Sequence, residues 1–202
     1  ILQNKDNPLL KFDLMREKIQ VGGLEAYDYS LQIKYMNQEK QALLPYSLQQ
    51  DSSPENLLQW IGKRKAPKNR QFVDKLMQTI GDDENPLAYV DISHALSLND
   101  ALWITNAAYP IAWQDFNLYH HPFNEVLAYV AFTGYSEKIS GVVTSPEYTS
   151  SGALKKCWSN RLDGIYLIKG DDFIKYTDGR SQATMEYYAV QVAEVMGFEH
   201  IP

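Results

Sequence analysis

Alternating large apolar and polar positions mark the first part of the chain as extended. The alternation runs through residues 11–14 and 27–33, and Gly22-Gly23 lies between these two stretches. A period of two is typical of a strand with one buried face, and a glycine pair favours a turn. We therefore predict strands within residues 9–45, with a turn at the glycines.

The pattern changes to helical spacing after residue 53. Ser53-Pro54-Glu55 supplies a cap, a proline at the first helical position and an early acid, ahead of apolar residues at helical spacing. Asn69 is the predicted cap of a second helix that ends at Gly81, and a third short helix is expected near Pro86. Residues 1–95 are therefore predicted to form an N-terminal β-then-helical module.

Residues 96–140 are rich in aromatic side chains and are interpreted as a connector. Because large rings bury much area, we predict that they form a packing layer between two parts of the protein. Pro122 is predicted to begin a helix that ends before Gly134. The aromatic residues of this connector are Trp103, Tyr109, Trp113, Phe116, Tyr119 and Phe123.

The last part of the chain, residues 141–202, combines a loop of small residues with two strands and a helix. Residues 144–152, called the hydroxyl loop below, contain many serines and threonines, and strands are predicted at 153–158 and 165–169. Ser181 can cap a helix that ends at Gly197. Its apolar stripe, directed towards the sheet, consists of Met185, Ala189, Val192 and Met196.

Two charged residues in this part are candidates for a functional site. Lys169 ends the apolar face of the second strand, and Glu186 lies at the edge of the helix's apolar stripe. In phosphoryl transfer, small residues let backbone N–H groups approach phosphates, a lysine neutralises phosphate oxygens, and a helix glutamate holds that lysine. The order of these parts is that of a protein-kinase small lobe. The alternative interpretation is a lysine and a glutamate that both reach solvent.

Several segments resemble HipA-type toxin kinases, which are serine/threonine kinases. The helix segment Met185-Glu186-Tyr187-Tyr188-Ala189, running on to Gly197-Phe198 and Ile201-Pro202, resembles their helix, and Tyr166-Leu167-Ile168-Lys169 resembles their lysine strand. Residues 149–155 resemble their phosphate loop. Two upstream segments, 96–103 and 117–125, look like those that precede the kinase lobe in HipA-like proteins of bacteria and mobile elements. The resemblance covers about half of the chain.

The resemblance implies a role for each matching residue. Lys169 would bind ATP phosphates and Glu186 would pair with it, while Thr149, Ser150, Ser151 and Gly152 would form the phosphate loop. A hydroxyl of that loop is autophosphorylated in HipA-type kinases, which ejects the loop. Thr149 or Ser151 best matches that position, and Ser150 is a further candidate. Added phosphate charge beside the ATP phosphates is expected to switch binding off.

The catalytic half of a kinase is missing from the sequence. No G-x-G-x-x-G loop, no H-R-D-like catalytic aspartate with its asparagine and no D-F-G-like metal aspartate occurs. These aspartates belong to a large lobe, which is expected to follow Pro202 and to supply the ligands of Mg²⁺. We therefore assign no catalytic residue and no metal ligand, and expect the chain alone to transfer no phosphate.

Charge and composition limit the other classes of function. The net charge of −6 argues against broad nucleic-acid binding. A basic stretch is interpreted as solvated, with an acidic partner or DNA bound near the Asn69 helix as the alternative; it contains Lys63, Arg64, Lys65, Lys68 and Arg70. The longest apolar run has seven residues, whereas a membrane span needs about 20. A single cysteine fits a reducing compartment, so a cytoplasmic location is expected.

We thus expect an α+β protein in which an N-terminal β/helical module precedes a kinase-like small lobe, an antiparallel sheet with one covering helix. The complete protein would be an ATP-dependent serine/threonine kinase of a toxin–antitoxin or mobile-element system. By the resemblance, its partners would be a protein substrate and a helix-turn-helix antitoxin. The alternative is a non-enzymatic regulatory subunit of a split toxin kinase, or a decayed kinase.

Overall fold

The computed structural model describes residues 1–78, 80, 85–109, 111–135, 144–171 and 181–199, so the Ile201-Pro202 part of the resemblance lies outside it. The strands are β1 (Leu2–Asn4), β2 (Asn7–Val21), β3 (Leu24–Met36), β4 (Leu102–Ile104), β5 (Lys156–Arg161) and β6 (Gly164–Lys169). The α-helices are α1 (Tyr46–Gln50), α2 (Pro54–Arg64), α3 (Val73–Met77), α4 (Ala88–Ser93), α5 (Trp113–Phe116), α6 (Glu125–Thr133) and α7 (Gln182–Met196). Two 3-10 helices span Gln38–Leu43 and Pro146–Thr149. The fold is mixed α+β with antiparallel strands, as predicted.

The first sheet has four strands in the order β3-β2-β1-β4. Its main part is the hairpin of β2 and β3, which is longer than the two short predicted strands. The hairpin turns at Gly22 and Gly23, which both have positive φ, as a two-residue turn between antiparallel strands requires. The predicted turn is therefore confirmed. Leu10 and Leu31 are buried where the hairpin enters the core with α2.

The connector contributes directly to this first sheet. Strand β4 pairs with β1, and its Trp103 is completely buried and donates an indole N–H to the Lys5 carbonyl at 2.7 Å. Trp103 and Trp113 pack edge to face in a buried cluster. Tyr109 is exposed. The aromatic layer thus consists mainly of the tryptophans and fixes the connector to the N-terminal module.

Before residue 141, two of the four predicted helix starts agree with the structure and two are wrong. The Ser53 hydroxyl accepts from the Asn56 N–H and caps α2, and α4 begins close to Pro86. Asn69 is not a cap, because Phe72 has a left-handed φ of 63° and α3 begins only at Val73. The predicted helix end at Gly81 lies outside the described residues. Pro122 does not begin α6 either, since the Asn124 side chain accepts from the Leu127 N–H and caps the helix there.

Within the described residues, no helix has both the length and the apolar character that crossing a bilayer requires.

Candidate functional site

The small sheet of β5 and β6 brings two lysines together. The two strands form an antiparallel hairpin in which Lys156 lies opposite Lys169, and Trp158 lies opposite Leu167. Because side chains alternate along a strand and directly opposed residues share a face, these four side chains lie on one face of the sheet. That face carries both ammonium groups.

Helix α7 places a carboxylate next to this face. Its start is fixed by Ser181, whose hydroxyl accepts from the Thr184 N–H, and Gly197 ends it with positive φ. Glu186 lies in the second turn, and its Oε2 is 2.5 Å from Lys169 Nζ. The structure therefore places Lys169 and Glu186 in contact, as expected from the sequence. Both side chains are about two-fifths exposed, at 37% for Lys169 and 42% for Glu186, so the pair adds little to stability.

The apolar stripe of α7 does not cover the sheet, contrary to our prediction. No residue of the helix is buried, and the exposed fractions of Met185, Val192 and Met196 are 49%, 56% and 61%. A sheet of two strands offers little area for a helix to bury. In the described structure α7 meets the sheet through Glu186, and most of its large apolar side chains are exposed.

The hydroxyl loop is held by a set of internal hydrogen bonds. The Thr149 hydroxyl donates to the Leu96 carbonyl at 2.8 Å, and the Ser150 hydroxyl donates to the Pro146 carbonyl at 3.0 Å. The Ser150 oxygen also accepts from Trp158 Nε1 at 2.6 Å. Ser151 is exposed, whereas Ser150 is buried. Of the three candidate phosphorylation sites, Ser151 is therefore the most accessible.

A cavity of about 150 Å³ lies between this loop and the sheet. Its lining includes the predicted loop residues Thr149, Ser150 and Ser151, but neither Gly152 nor Lys169. Lys156, which sequence reasoning missed, lines it instead. The remaining lining residues are Ser97, Leu98, Asn99, Pro146, Trp158 and Leu167.

A buried ion pair that the sequence did not reveal supports this loop. Arg70 Nη2 lies 3.2 Å from Glu147 Oε2, and each side chain is only 1% exposed. The Arg70 guanidinium also donates to the carbonyls of Glu147 and Lys156, both at 2.8 Å. The Trp158 N–H donates to Glu147 Oε1 at 2.7 Å. The Arg70 side chain thus connects residues 67–71 to both the 3-10 helix Pro146–Thr149 and strand β5.

Burial dominates the electrostatics of this pair. It raises the pKa of Glu147 to about 7, against the opposing effects of the Trp158 N–H and of Arg70. The pKa of Arg70 is lowered by the same burial. A carboxylate enclosed in this way depends on its guanidinium partner.

The basic stretch is therefore not the solvated surface that we predicted. Arg70 is buried, and Arg64 forms an ion pair with Asp100, with Nη1 and Oδ2 2.7 Å apart. Lys63 and Lys68 are exposed and Lys65 is half-buried. The two arginines are engaged inside the protein, which leaves the three lysines as the part that could meet an acidic partner.

The only sequence signal for Lys156 was its place on the predicted strand before Lys169. The pairing register, which the sequence does not give, makes them neighbours. Within the described ranges, no three side chains of His, Cys, Asp or Glu lie together as they would at a metal site, so no described residue is assigned to Mg²⁺.

No protein-family model, no curated protein and no solved structure matches this chain.

Proposed function

We propose that the complete protein is an ATP-dependent serine/threonine protein kinase of the HipA-like type, and that residues 141–202 are most of its small lobe. The observation that carries the proposal is the contact of 2.5 Å between Lys169 and Glu186, which joins a strand to a helix beside a loop of small residues. A lysine held in this way can meet nucleotide phosphates. The segments that resemble HipA-type kinases include both residues.

In this proposal the chain's own residues bind and orient the nucleotide. Lys169 neutralises phosphate oxygens, Glu186 fixes the direction of the ammonium, and residues 149–152 approach the phosphates. Mg²⁺, when bound with ATP, supplies charge neutralisation of the phosphates. The base that orients the substrate hydroxyl would come from a large lobe that these 202 residues do not contain.

The biological setting follows from the resemblance alone. It suggests a toxin–antitoxin or mobile-element system in the bacterial cytoplasm, with a helix-turn-helix protein as antitoxin and another protein as substrate.

The test compares the 202-residue chain with the complete native polypeptide, both incubated with ATP labelled at the γ-phosphate. We expect the complete polypeptide to label serine or threonine residues and the shorter chain to label none, because it lacks the catalytic aspartate. A native polypeptide that ends near Pro202 and transfers no phosphate would contradict the kinase proposal. A longer polypeptide with D-R-H-x-x-N-like and D-x-G-like motifs is the expected finding.

The exposed face of α7 is also compatible with a second candidate, a regulatory subunit without enzymatic activity. Its large apolar side chains are exposed by about half or more, among them Tyr187 at 62% and Val195 at 89%. Exposed apolar area of this kind is typical of a surface that another protein or domain covers. A separate kinase gene beside a gene that stops after Pro202 would support this candidate, a subunit of a split toxin kinase. If the protein is a decayed kinase, we expect no phosphate transfer and no separate kinase gene beside its own gene.

The hydroxyl loop leads to a prediction about modification. In an active preparation, mass spectrometry is expected to find phosphate on Ser151, because the hydroxyls of Thr149 and Ser150 are engaged inside the protein. A phosphate there adds about −1.5 to −2 charge beside the nucleotide phosphates and weakens ATP binding.

The Ser151→Ala variant serves as the control for this prediction and should lose the modification. Phosphate found only outside residues 144–151 would count against the loop switch. Phosphate on Ser150 with Ser151 unmodified would count against the accessibility argument.

A further inference from the structure

Lys156 is a second lysine at the candidate site. It lies directly opposite Lys169 in the β5–β6 hairpin and lines the cavity under the hydroxyl loop. Its residue is only 6% exposed, which is unusual for lysine. Its ammonium donates to the Ser151 carbonyl at 2.5 Å.

The charges around Lys156 leave its own charge unbalanced. Arg70 is paired with Glu147, and Lys169 is paired with Glu186. Among the described residues, no carboxylate lies within ion-pair distance of Lys156. Burial first, and then Arg70 and Lys169, lower its pKa, against the smaller opposing effects of Glu186 and Glu147. Within the described residues, the hydrogen bond of this largely enclosed ammonium goes to a neutral carbonyl, so an added anion is expected to stabilise it.

The cavity beside Lys156 suits a small anion. Its volume of about 150 Å³ equals that of about five water molecules, which is enough for a phosphate group but not for a nucleotide base as well. Thr149, Ser150 and Ser151 form one part of its lining, and apolar side chains, those of Leu98, Pro146, Trp158 and Leu167, form another part. Phosphate oxygens accept hydrogen bonds from ammonium groups and hydroxyls.

We propose that Lys156 is a second phosphate-binding lysine, which binds a nucleotide phosphate in the cavity under the hydroxyl loop while Lys169 binds at the outer edge of the same face. The inference rests on the proposed nucleotide-binding function and assigns a cation to it that the sequence did not indicate. On binding, the Lys156 ammonium exchanges the Ser151 carbonyl for a phosphate oxygen. Phosphate binding is thereby coupled to the position of the hydroxyl loop.

Gly152 fits this arrangement. It has a φ of +90°, and a Cβ built on it would lie 2.5 Å from Lys156 Nζ. A side chain there would displace the ammonium from its position under the loop.

The test measures binding of ATP, tripolyphosphate and adenosine by calorimetry with the complete native polypeptide. Lys156→Met is expected to weaken ATP and tripolyphosphate binding by about 10- to 100-fold, because one charge-assisted hydrogen bond is lost, and to leave adenosine binding unchanged. Lys156→Gln keeps a donor for the Ser151 carbonyl and should show the same loss, which guards against a folding defect in the methionine variant. The control is Lys18→Met, an exposed lysine of the β2–β3 hairpin outside the cavity lining, with an expected change within about twofold.

The outcomes separate this inference from the proposed function. If Lys169→Ala loses ATP binding while both Lys156 variants keep it, the inference is overturned and the proposed function stands. If tripolyphosphate binds as tightly as ATP and needs Lys156 but not Lys169, the phosphate site stands and the nucleotide function is overturned. If the unaltered protein binds neither ATP nor tripolyphosphate, both are overturned.

Discussion

Replacement of Lys169 by alanine is expected to remove nearly all ATP binding from the complete native polypeptide, with an affinity loss of about 100-fold or more. The ammonium is the cation at the outer edge of the sheet face, and Glu186 holds it there at 2.5 Å. Its loss removes a charge-assisted contact to phosphate and leaves the Glu186 carboxylate facing the ligand's negative charge. Calorimetric titration with ATP and with adenosine measures this effect.

A second exposed lysine–glutamate pair in the same chain provides the control. Lys18 and Glu25 face each other across the β2–β3 hairpin with Nζ and Oε1 2.6 Å apart, and their side chains are 53% and 62% exposed. Lys18→Ala removes an ion pair of the same type, so it should cost no more stability than Lys169→Ala and should leave ATP affinity unchanged. Unaltered ATP affinity in Lys169→Ala would remove the central residue of the proposal.

Glu186→Gln tests the role of the carboxylate separately. The amide keeps the size of the side chain but not its charge, so the ammonium of Lys169 stays present while its direction is less fixed. We therefore expect Glu186→Gln to lose less ATP affinity than Lys169→Ala.

Features with a local signal were predictable from the sequence. Gly22-Gly23 gave the hairpin turn, Ser53 gave the start of α2, and Ser181 with Gly197 gave both ends of α7. Each of these signals depends on side-chain and backbone chemistry within a few residues. The pairing of Lys169 with Glu186 was predictable for a related reason, since the order strand–loop–helix limits where the two can lie.

Features made by distant contacts were not predictable. Arg70 and Glu147 are separated by 77 residues, and neither has a neighbour in sequence that marks it as buried. The same contacts hold the segment where the Asn69 helix was predicted, since the Arg70 side chain enters the ion pair and the Gln71 N–H donates to the Ala153 carbonyl. Phe72 then has a left-handed φ of 63°, which a right-handed α-helix does not allow, so the helix begins only at Val73. The spacing of apolar residues in the sequence also could not show whether the apolar stripe of α7 packs against another described part of the protein.

The buried ion pair leads to the largest expected effect on stability. Arg70→Met removes the guanidinium and leaves the Glu147 carboxylate enclosed, with the Trp158 N–H as its remaining hydrogen-bond donor in the described part of the chain. Breaking one partner of a buried pair costs about 3–5 kcal/mol of unfolding free energy. Urea unfolding followed by tryptophan fluorescence measures it, and the exposed Arg161→Met is the control, with an expected change within about 0.5 kcal/mol.

The pH dependence of this variant identifies the cause of the loss. Without Arg70 the pKa of the folded-state Glu147 rises further above its ordinary value of 4.5, so the folded state holds the proton more tightly than the unfolded chain. The stability of the variant is then highest at low pH and falls as the pH rises through the folded-state pKa of Glu147. The loss of stability relative to the unaltered protein is therefore smaller at pH 5 than at pH 8. Adding Glu147→Gln should recover about 2 kcal/mol or more at pH 8, since the amide carries no charge to bury. The charge explanation would be contradicted if the variant lost the same free energy of unfolding at both pH values and the double variant regained none of it. Packing of the arginine stem, and not the charge pair, would then hold residues 67–71 against the loop.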